Sequence, residues 1–410
     1  MTENVFDFLQ RRGYLDQATY PEELREKLGK ESLTFYIGFD ATADSLTLGH
    51  YLQIKVMQHL QRAGHRPIAL LGGGTTMIGD PSGRTDMRQL MNKERIDHNA
   101  LCFKNQLSKL LDFSEGKAIF ENNADWLLNL NFLDFMREIG VHFSVNRMLT
   151  LDAYKNRMEE GLTFFEFSYI LMQSYDFLYL YRKHHCTLQI GGSDQWSNML
   201  GGYELVRRIE DDRVYSMTFQ LLTTADGVKM GKTQSGAIWL NPEKTSPYDM
   251  YQYMRNVDDR DVIKFMNLLT DLSDEEIAQY AKLEGADINQ AKERLAWEIV
   301  KDIHSQEEAD KAQNAARALF DQGGVSKDMP TSEISQTELG EGLNLIDLLL
   351  KAELVASSSE GRRLIKQGGI TVAGEKATSH DQVIGPKDFD DKKTLHVKKG
   401  KKNHHLFKLV

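Results

Sequence analysis

Residues Thr34 to Tyr51 read TFYIGFDATADSLTLGHY, and the fold class follows from how this stretch changes character. Its first six residues form an apolar, strand-length run, and DATADS is polar. Apolar residues then recur at helical spacing through YLQIKVMQHLQRAG, which ends at Gly64. The same change is repeated further along. PIALL (Pro67 to Leu71), KAIF (Lys117 to Phe120) and TLQI (Thr187 to Ile190) are strand-length, whereas FFEFSYILMQSYDFLYLY (Phe164 to Tyr181) and DQWSNMLGGYELVRRI (Asp194 to Ile209) have helical spacing. Strands alternating with helices predict an α/β fold whose parallel sheet is covered on both faces. In such a sheet ligands bind where loops leave the carboxyl ends of the strands, so the residues after TFYIGF, PIALL and TLQI are the first candidates for a site.

Beyond Thr245 the strand signal fades and the pattern is helical to about Phe320, through SPYDMYQYMRNV, INQAKERLAWEIVKDIHS and EEADKAQNAARALF. Asp321 to Gly342 is polar and Gly/Ser-rich, which predicts a linker. Leu343 to Val410 predicts two short amphipathic helices followed by a glycine-punctuated strand pair. The expected organisation is therefore 1–244, 245–320, a linker over 321–342, and 343–410.

The 410 residues carry 50 Lys+Arg and 60 Asp+Glu, a formal charge of −10, which argues against a polybasic nucleic-acid binder. Distribution matters as much as the sum. From Leu343 to Val410 there are 13 Lys+Arg against 8 Asp+Glu, a local +5 that leaves −15 on the first 342 residues. The two cysteines, Cys102 and Cys186, form no CxxC pair, so neither a disulfide scaffold nor a cysteine-built zinc site is expected. The start, MTENVFDFLQRRGYL, reads as a first helix and not as a signal peptide, and no run approaches the roughly 18 apolar residues of a membrane span. A cytosolic protein is the expectation.

Four clusters carry chemistry. After the first strand come Tyr36, Gly38, Asp40 and Thr42, then Gly49 and His50 at the positive end of a helix, where N–H groups can receive phosphate. After PIALL comes GGGTTMIGDPSGR, with Asp80 among five glycines, and after TLQI comes GGSDQW. Glycine beside an acid at three strand ends favours one shared site. The fourth, KMGKT (Lys229 to Thr233), sets two lysines around a glycine, a cationic clamp suited to a transferring phosphoryl group but without the upstream glycines of a P-loop. Tyr169, Gln173 and Asp176 are spaced i, i+4, i+7 on an otherwise apolar helix, so their polar groups must find partners, either in a substrate or in an internal network.

Together, YIGFDATADSLTLGH, GDPSG, EFSYILMQSYDF, LQIGGSDQW and KMGKT resemble the bacterial tyrosyl-tRNA synthetases, a class I family, over nearly the whole chain. TLGH stands where the HIGH tetrapeptide is expected and KMGKT where KMSKS is. The resemblance implies a Rossmann-like catalytic domain with an inserted dimerisation segment, an α-helical domain facing the anticodon stem, and a small α+β S4-like RNA-binding domain. It implies a two-step reaction: tyrosine attacks the α-phosphate of ATP, and the adenylate then passes tyrosine to tRNA. Tyr36 and Asp176 would bond the phenolic hydroxyl; Asp80, Tyr169 and Gln173 the α-ammonium; and Gln195 would lie near the carboxylate. Gly38, Asp40, Gly49, His50, Gly192 and Asp194 would surround ATP. Thr42, Thr47, Arg84, Arg88, Lys229, Lys232 and Thr233 would act on the phosphates, with Mg²⁺ arriving on ATP and no metal held by the protein alone.

Three positions depart from the family pattern: Thr47 replaces the first His of HIGH, Ile37 stands where relatives often have cysteine, and Arg84 where some have lysine. These read as retuning. Arg362, Arg363 and Lys366 in SSSEGRRLIKQGG are the expected RNA contacts of the C-terminal domain, and Arg207 and Arg208 those to the acceptor stem. A homodimer is implied, with Phe164 and Phe165 as plausible contacts. A tryptophanyl enzyme is disfavoured because indole offers no hydroxyl to Tyr36 and Asp176. A non-catalytic RNA-binding relative is disfavoured because it has no need of KMGKT, His50 and Asp194.

Overall fold

The computed structural model describes residues 3–82, 91–151, 154–155, 158, 161–230, 232–233, 236–321, 330–340, 342–390, 393–400 and 403–410, without the side chains of 232–233, 236 and 319–321. The chain divides into two compact units, Met1–Thr245 with Val257–Ala291, and Ser246–Asn256 with Lys292–Val410.

The first unit is built on a six-stranded sheet: β1 (Leu15–Ala18), β2 (Thr34–Phe39), β3 (Arg66–Leu71), β4 (Ile119–Asn122), β5 (Cys186–Gly192) and β6 (Tyr215–Phe219), in the order β1-β6-β5-β2-β3-β4. β2 runs parallel to β3 from Thr34↔Arg66 to Phe39↔Leu71, and parallel to β5 with Tyr36 opposite Gln189. β3–β4 and β5–β6 are also parallel, and only the edge strand β1 is antiparallel. The chain passes from β2 to β3 on one side and later places β5 on the other, so the carboxyl end of β2 is the point where the strand order reverses. The helix Leu48–Arg62 is buried on most of its surface, and even Lys55 is fully covered, its charge met by Asp271 at 2.8 Å. Helices Tyr169–His184 and Trp196–Glu210 pack on each other and on β5. Phe177 between them is fully buried against the Tyr36 ring, 5.4 Å between centroids, a burial that stabilises by about 1.5–3 kcal/mol.

The α/β class and the parallel sheet are as expected, and four details differ. β6 and β1 were not foreseen; YSMTF carries Ser216 and Thr218 at fully buried positions, where Thr218 Oγ1 accepts from Gln17 N–H and Ser216 N–H donates to Thr19, so polarity hides a strand buried on both faces. The stretch read as one helix from Phe164 is broken at Ser168 into Phe164–Phe167 and Tyr169–His184. Ser168 Oγ donates back to Phe165 O at 2.8 Å, competing with the helical ladder. The helical stretch expected to form one domain over 245–320 is divided by packing: Val262–Leu269, with Val262, Phe265, Met266, Leu268 and Leu269 buried, belongs to the first unit, where Leu268 O accepts from Tyr14 at 2.7 Å.

The fourth difference lies in the second unit. Residues 330–340, read as linker, contain a strand, Thr331–Ile334, and a short helix, Gln336–Leu339, with Ile334 and Leu339 in the C-terminal core. That strand runs parallel to Asn403–Leu409 at the edge of a five-stranded sheet completed by Thr394–Lys399, Ile370–Val372 and Glu375–Lys376. Its two apolar anchors were masked in sequence by TSEISQTE. Helices Leu345–Lys351 and Ser358–Lys366 bury Leu345, Leu348, Leu349 and Ile365 against Ile370, Val372, Leu395, Val397 and Phe407. Earlier in this unit, Pro247–Arg255 packs on Gln306–Asp321, and Arg255 and Arg317 both meet Glu293, at 3.1 and 2.9 Å.

Candidate active site

A cavity of about 410 Å³ opens at the carboxyl ends of β2, β3 and β5. The three glycine-plus-acid clusters converge there: Gly38 is near the end of β2 and Asp40 just after it, Gly72 and Asp80 follow β3, and Gly192 ends β5 with Asp194 in the turn beyond. Thr47, Gly49 and His50 reach it from the start of the helix Leu48–Arg62; Tyr169, Gln173 and Asp176 from the helix Tyr169–His184; Gln195 from the turn after β5; and Lys229 from the loop beyond β6. A Cβ on Gly72 would collide with the Asp40 carboxylate, so that position needs glycine for backbone approach. A Cβ on Gly38 would meet no atom within 4 Å and would project into open space.

Around Asp176 the polar groups form a buried network. The carboxylate is 2% exposed and accepts from Asn123 Nδ2 at 2.9 Å and Trp126 Nε1 at 2.7 Å. Asn123 Nδ2 also donates to Thr75 Oγ1, Thr75 donates to Asp40 at 2.8 Å, and Tyr169 donates to the other Asp40 oxygen at 3.2 Å. Burial pushes the Asp176 carboxyl up to about 7 against the two hydrogen bonds that favour its charge. Burial, with the nearby Asp176, also raises the Tyr36 phenol well above its usual range. Tyr36 Oη is buried with no hydrogen-bond partner among the described residues, as are Gln173 Oε1 and Gln189 Oε1, all on residues that line the cavity. A buried polar atom left unpaired costs about 1–3 kcal/mol, so such a cluster marks where a polar ligand completes the bonding.

Gln195 Nε2 donates to Asp80 at 2.6 Å and its Oε1 accepts from Gln173 at 3.3 Å; Asn198 reaches both Asp80 and Ser82. This links the clusters after β3 and β5 to the polar helix stripe. At the helix start, Thr47 N–H donates to His50 Nδ1 at 3.1 Å, and burial lowers the imidazole to about 4. His50 is thus neutral at pH 7, and because Nδ1 accepts, Nε2 carries the proton as a donor. Lys229 Nζ lies 3.5 Å from Asp194, whose carboxyl is raised by burial and lowered in part by that lysine.

Not every expected residue comes together. Thr42 is exposed, and its N–H bonds to Asp40 O outside the cavity wall. Arg84 and Arg88 lie outside the described residues. Lys232–Thr233 pairs antiparallel with Gly236–Ala237, but its side chains are not described. Arg207 and Arg208 are apart from the cavity, both beside Glu204, with Arg208 also donating to His142 O at 2.7 Å. Arg362, Arg363 and Lys366 are exposed on the helix Ser358–Lys366. Sequence reasoning missed Thr75, Asn123, Trp126, Gln189 and Asn198. Gln189 had a legible signal, a lone amide inside the apolar run TLQI; the Asn pair after KAIF was a weaker one.

Two family profiles match the chain in succession: tRNA synthetases class I (W and Y) over residues 28–321, and the tyrosine--tRNA ligase SYY-like C-terminal domain over residues 320–407. The tyrosine--tRNA ligase of Lachnoclostridium phytofermentans is 59% identical over 408 residues, spanning the whole of both chains, and that of Acetivibrio thermocellus is 58% identical over 99% of this chain and all of its own. Among solved structures, a C-terminally truncated mitochondrial tyrosyl-tRNA synthetase of Aspergillus nidulans is 28% identical with a TM-score of 0.70, over 78% of this chain and 94% of its own. With both profiles and full-length relatives in agreement, the chain belongs to the class I tRNA synthetases, in the tyrosine--tRNA ligase family.

Proposed function

We propose that this chain condenses L-tyrosine with ATP to tyrosyl-adenylate and pyrophosphate, then transfers tyrosine to the terminal adenosine of its tRNA. The observation that carries the amino-acid choice is the unpaired Tyr36 hydroxyl in a cavity shared with an Asp176 carboxylate already oriented by Asn123 and Trp126. A phenolic hydroxyl donates to the carboxylate and accepts from Tyr36; a phenylalanine ring does neither, and an indole N–H donates but cannot accept from Tyr36. Asp80, Tyr169 and Gln173 are assigned to the α-ammonium and Gln195 to the carboxylate.

Gly38, Asp40, Gly49, Gly192 and Asp194 are assigned to ATP, with Asp194 accepting from the ribose and His50 Nε2 donating to the nucleotide. In-line attack of the tyrosine carboxylate on the α-phosphate needs no covalent enzyme intermediate. It needs alignment and cations where charge grows on the leaving pyrophosphate. Lys229, Lys232, Arg84 and Arg88 supply the cations, and Thr42, Thr47 and Thr233 supply hydroxyls. Mg²⁺ arrives as part of the ATP substrate, held by its phosphates.

Arg207 and Arg208 are assigned to the acceptor stem, helices within 245–320 to the anticodon side, and Arg362, Arg363 and Lys366 to RNA backbone. We also assign a homodimer. Phe132, Leu133 and Phe164 are 66%, 68% and 68% exposed, and an apolar cavity of about 430 Å³ lies among Phe132, Phe135, Phe143, Val145, Phe164 and Phe165. An apolar patch of this kind calls for a covering partner, and a second copy of the chain suits it. The cytoplasm is the assigned compartment. ATP–pyrophosphate exchange tests the activity: it should appear with tyrosine and not with phenylalanine or tryptophan. Absence of exchange with all three would leave a non-catalytic RNA-binding relative as the better reading.

A further inference from the structure

Lys229 is the described cation that reaches the cavity from beyond β6, and the local backbone shows how it is held. Leu222 to Met230 is a small hairpin: Met230 N–H donates to Leu222 O at 2.7 Å, Thr223 bridges Lys229, Thr224 N–H donates to Val228 O, and Gly227 turns with φ +78°. The hairpin is fastened from a different element. Asp261, 2% exposed, stands at the N-cap position of the helix Val262–Leu269 yet makes no capping bond to that helix. Its carboxylate accepts instead from Ala225 N–H at the hairpin turn, at 2.9 Å. One turn further on, Lys264 Nζ donates to Thr223 O at 2.9 Å, and Arg260 joins Asp226 at 3.0 Å. An N-cap aspartate ordinarily serves its own helix; here that bond is diverted to a segment 36 residues earlier.

We infer that Asp261, supported by Lys264, is a positioning residue for adenylate formation, fixing the hairpin that presents Lys229 to the ATP phosphates. This rests on the reading of Lys229 given above. Asp261 touches no substrate and acts through Lys229. Misplacing a transition-state cation by about an ångström costs on the order of 10- to 100-fold in rate, while groups on separate elements are untouched.

The test is a double-mutant cycle in the full-length chain, read by tyrosine-dependent ATP–pyrophosphate exchange, with tyrosine affinity measured by equilibrium binding. Asp261→Ala should lower kcat at least about 10-fold and leave tyrosine affinity unchanged. Asp261→Asn, which keeps an acceptor oxygen for Ala225 N–H, should recover most of the loss. In a Lys229→Ala background, Asp261→Ala should cost little more, because its only route to the reaction is already removed. Should Asp261→Ala fail to fold, Lys264→Met, which cuts the second tether, should reproduce the kcat loss and the non-additivity in smaller measure. Unchanged kcat in Asp261→Ala, full additivity with Lys229→Ala, or a parallel fall in tyrosine affinity would each overturn the inference. Failure of the underlying reading looks different: the unsubstituted protein would show no exchange, or Lys229→Ala would be as active as the unsubstituted protein.

Discussion

Around Asp176 the polar groups are held by one another, whereas around Lys229 they are held by backbone geometry at a distance. Asp176 is 2% exposed and bonded to Asn123 and Trp126, and through Asn123 and Thr75 the network reaches Asp40 and Tyr169. Lys229 has a half-exposed side chain, the Asp194 carboxylate at 3.5 Å, and a hairpin tethered through Asp261. The first region is pre-organised for recognition, since its geometry exists before any ligand enters. The second supplies charge to a transition state, where position matters only once pyrophosphate begins to leave.

The sharpest way to break this contrast is to remove the buried carboxylate. Asp176→Ala takes an acceptor from Asn123 and Trp126 and removes the carboxylate that would receive the phenolic hydroxyl, and should lower tyrosine kcat/KM by about 100-fold or more, with KM for ATP nearly unchanged. Asp176 also has a pH signature. Its folded pKa of about 7 lies above the ordinary aspartate value of 3.8, so the folded state holds the proton more tightly and stability from this group falls as pH rises from about 4 to about 7. Thermal unfolding of Asp176→Asn should therefore gain on the unsubstituted protein across that window and hold its advantage above it. A flat difference would mean that burial does not govern the group.

Much of this was legible in sequence, and the omissions have physical causes. The strand ends announced themselves because glycine and aspartate together are costly inside a sheet and useful at its carboxyl edge. Tyr169, Gln173 and Asp176 announced themselves as polar residues in an apolar helix; of the two partner classes considered for them, Asp176 and Tyr169 have the internal network, while Gln173 keeps an unpaired oxygen in the cavity wall. Asn123 and Trp126 gave little signal because they lie about 50 residues from the carboxylate they serve, and only folding brings them together. The strand Thr331–Ile334 was hidden because it buries one face at the edge of a sheet, so its sequence resembles a linker.

A second comparison separates recognition of tyrosine from recognition of RNA. Replacing Arg362, Arg363 and Lys366 together by alanine should weaken tRNA binding and flatten its dependence on log salt by about 2 to 3, with tyrosine-dependent exchange unaffected. An unchanged salt slope would remove the binding role from that exposed helix face. The smallest effect is expected at Thr47, which caps the helix Leu48–Arg62 and bonds His50 Nδ1. Thr47→His keeps the backbone N–H donor to His50 but loses the hydroxyl that lies 3.0 Å from the same nitrogen; it adds an imidazole for the phosphates and should speed single-turnover adenylate formation a few-fold at unchanged tyrosine affinity. No acceleration would show that the hydroxyl already does what a second histidine does.

The central claim is that the unpaired Tyr36 hydroxyl, with Asp176, selects a phenolic amino acid. It is tested most directly by kcat/KM for tyrosine and for phenylalanine in ATP–pyrophosphate exchange, comparing the unsubstituted protein with Tyr36→Phe. The expected result is a fall of about 5- to 10-fold for tyrosine with little change for phenylalanine, so that discrimination narrows by that factor. Equal losses for both amino acids, or discrimination left intact, would contradict it.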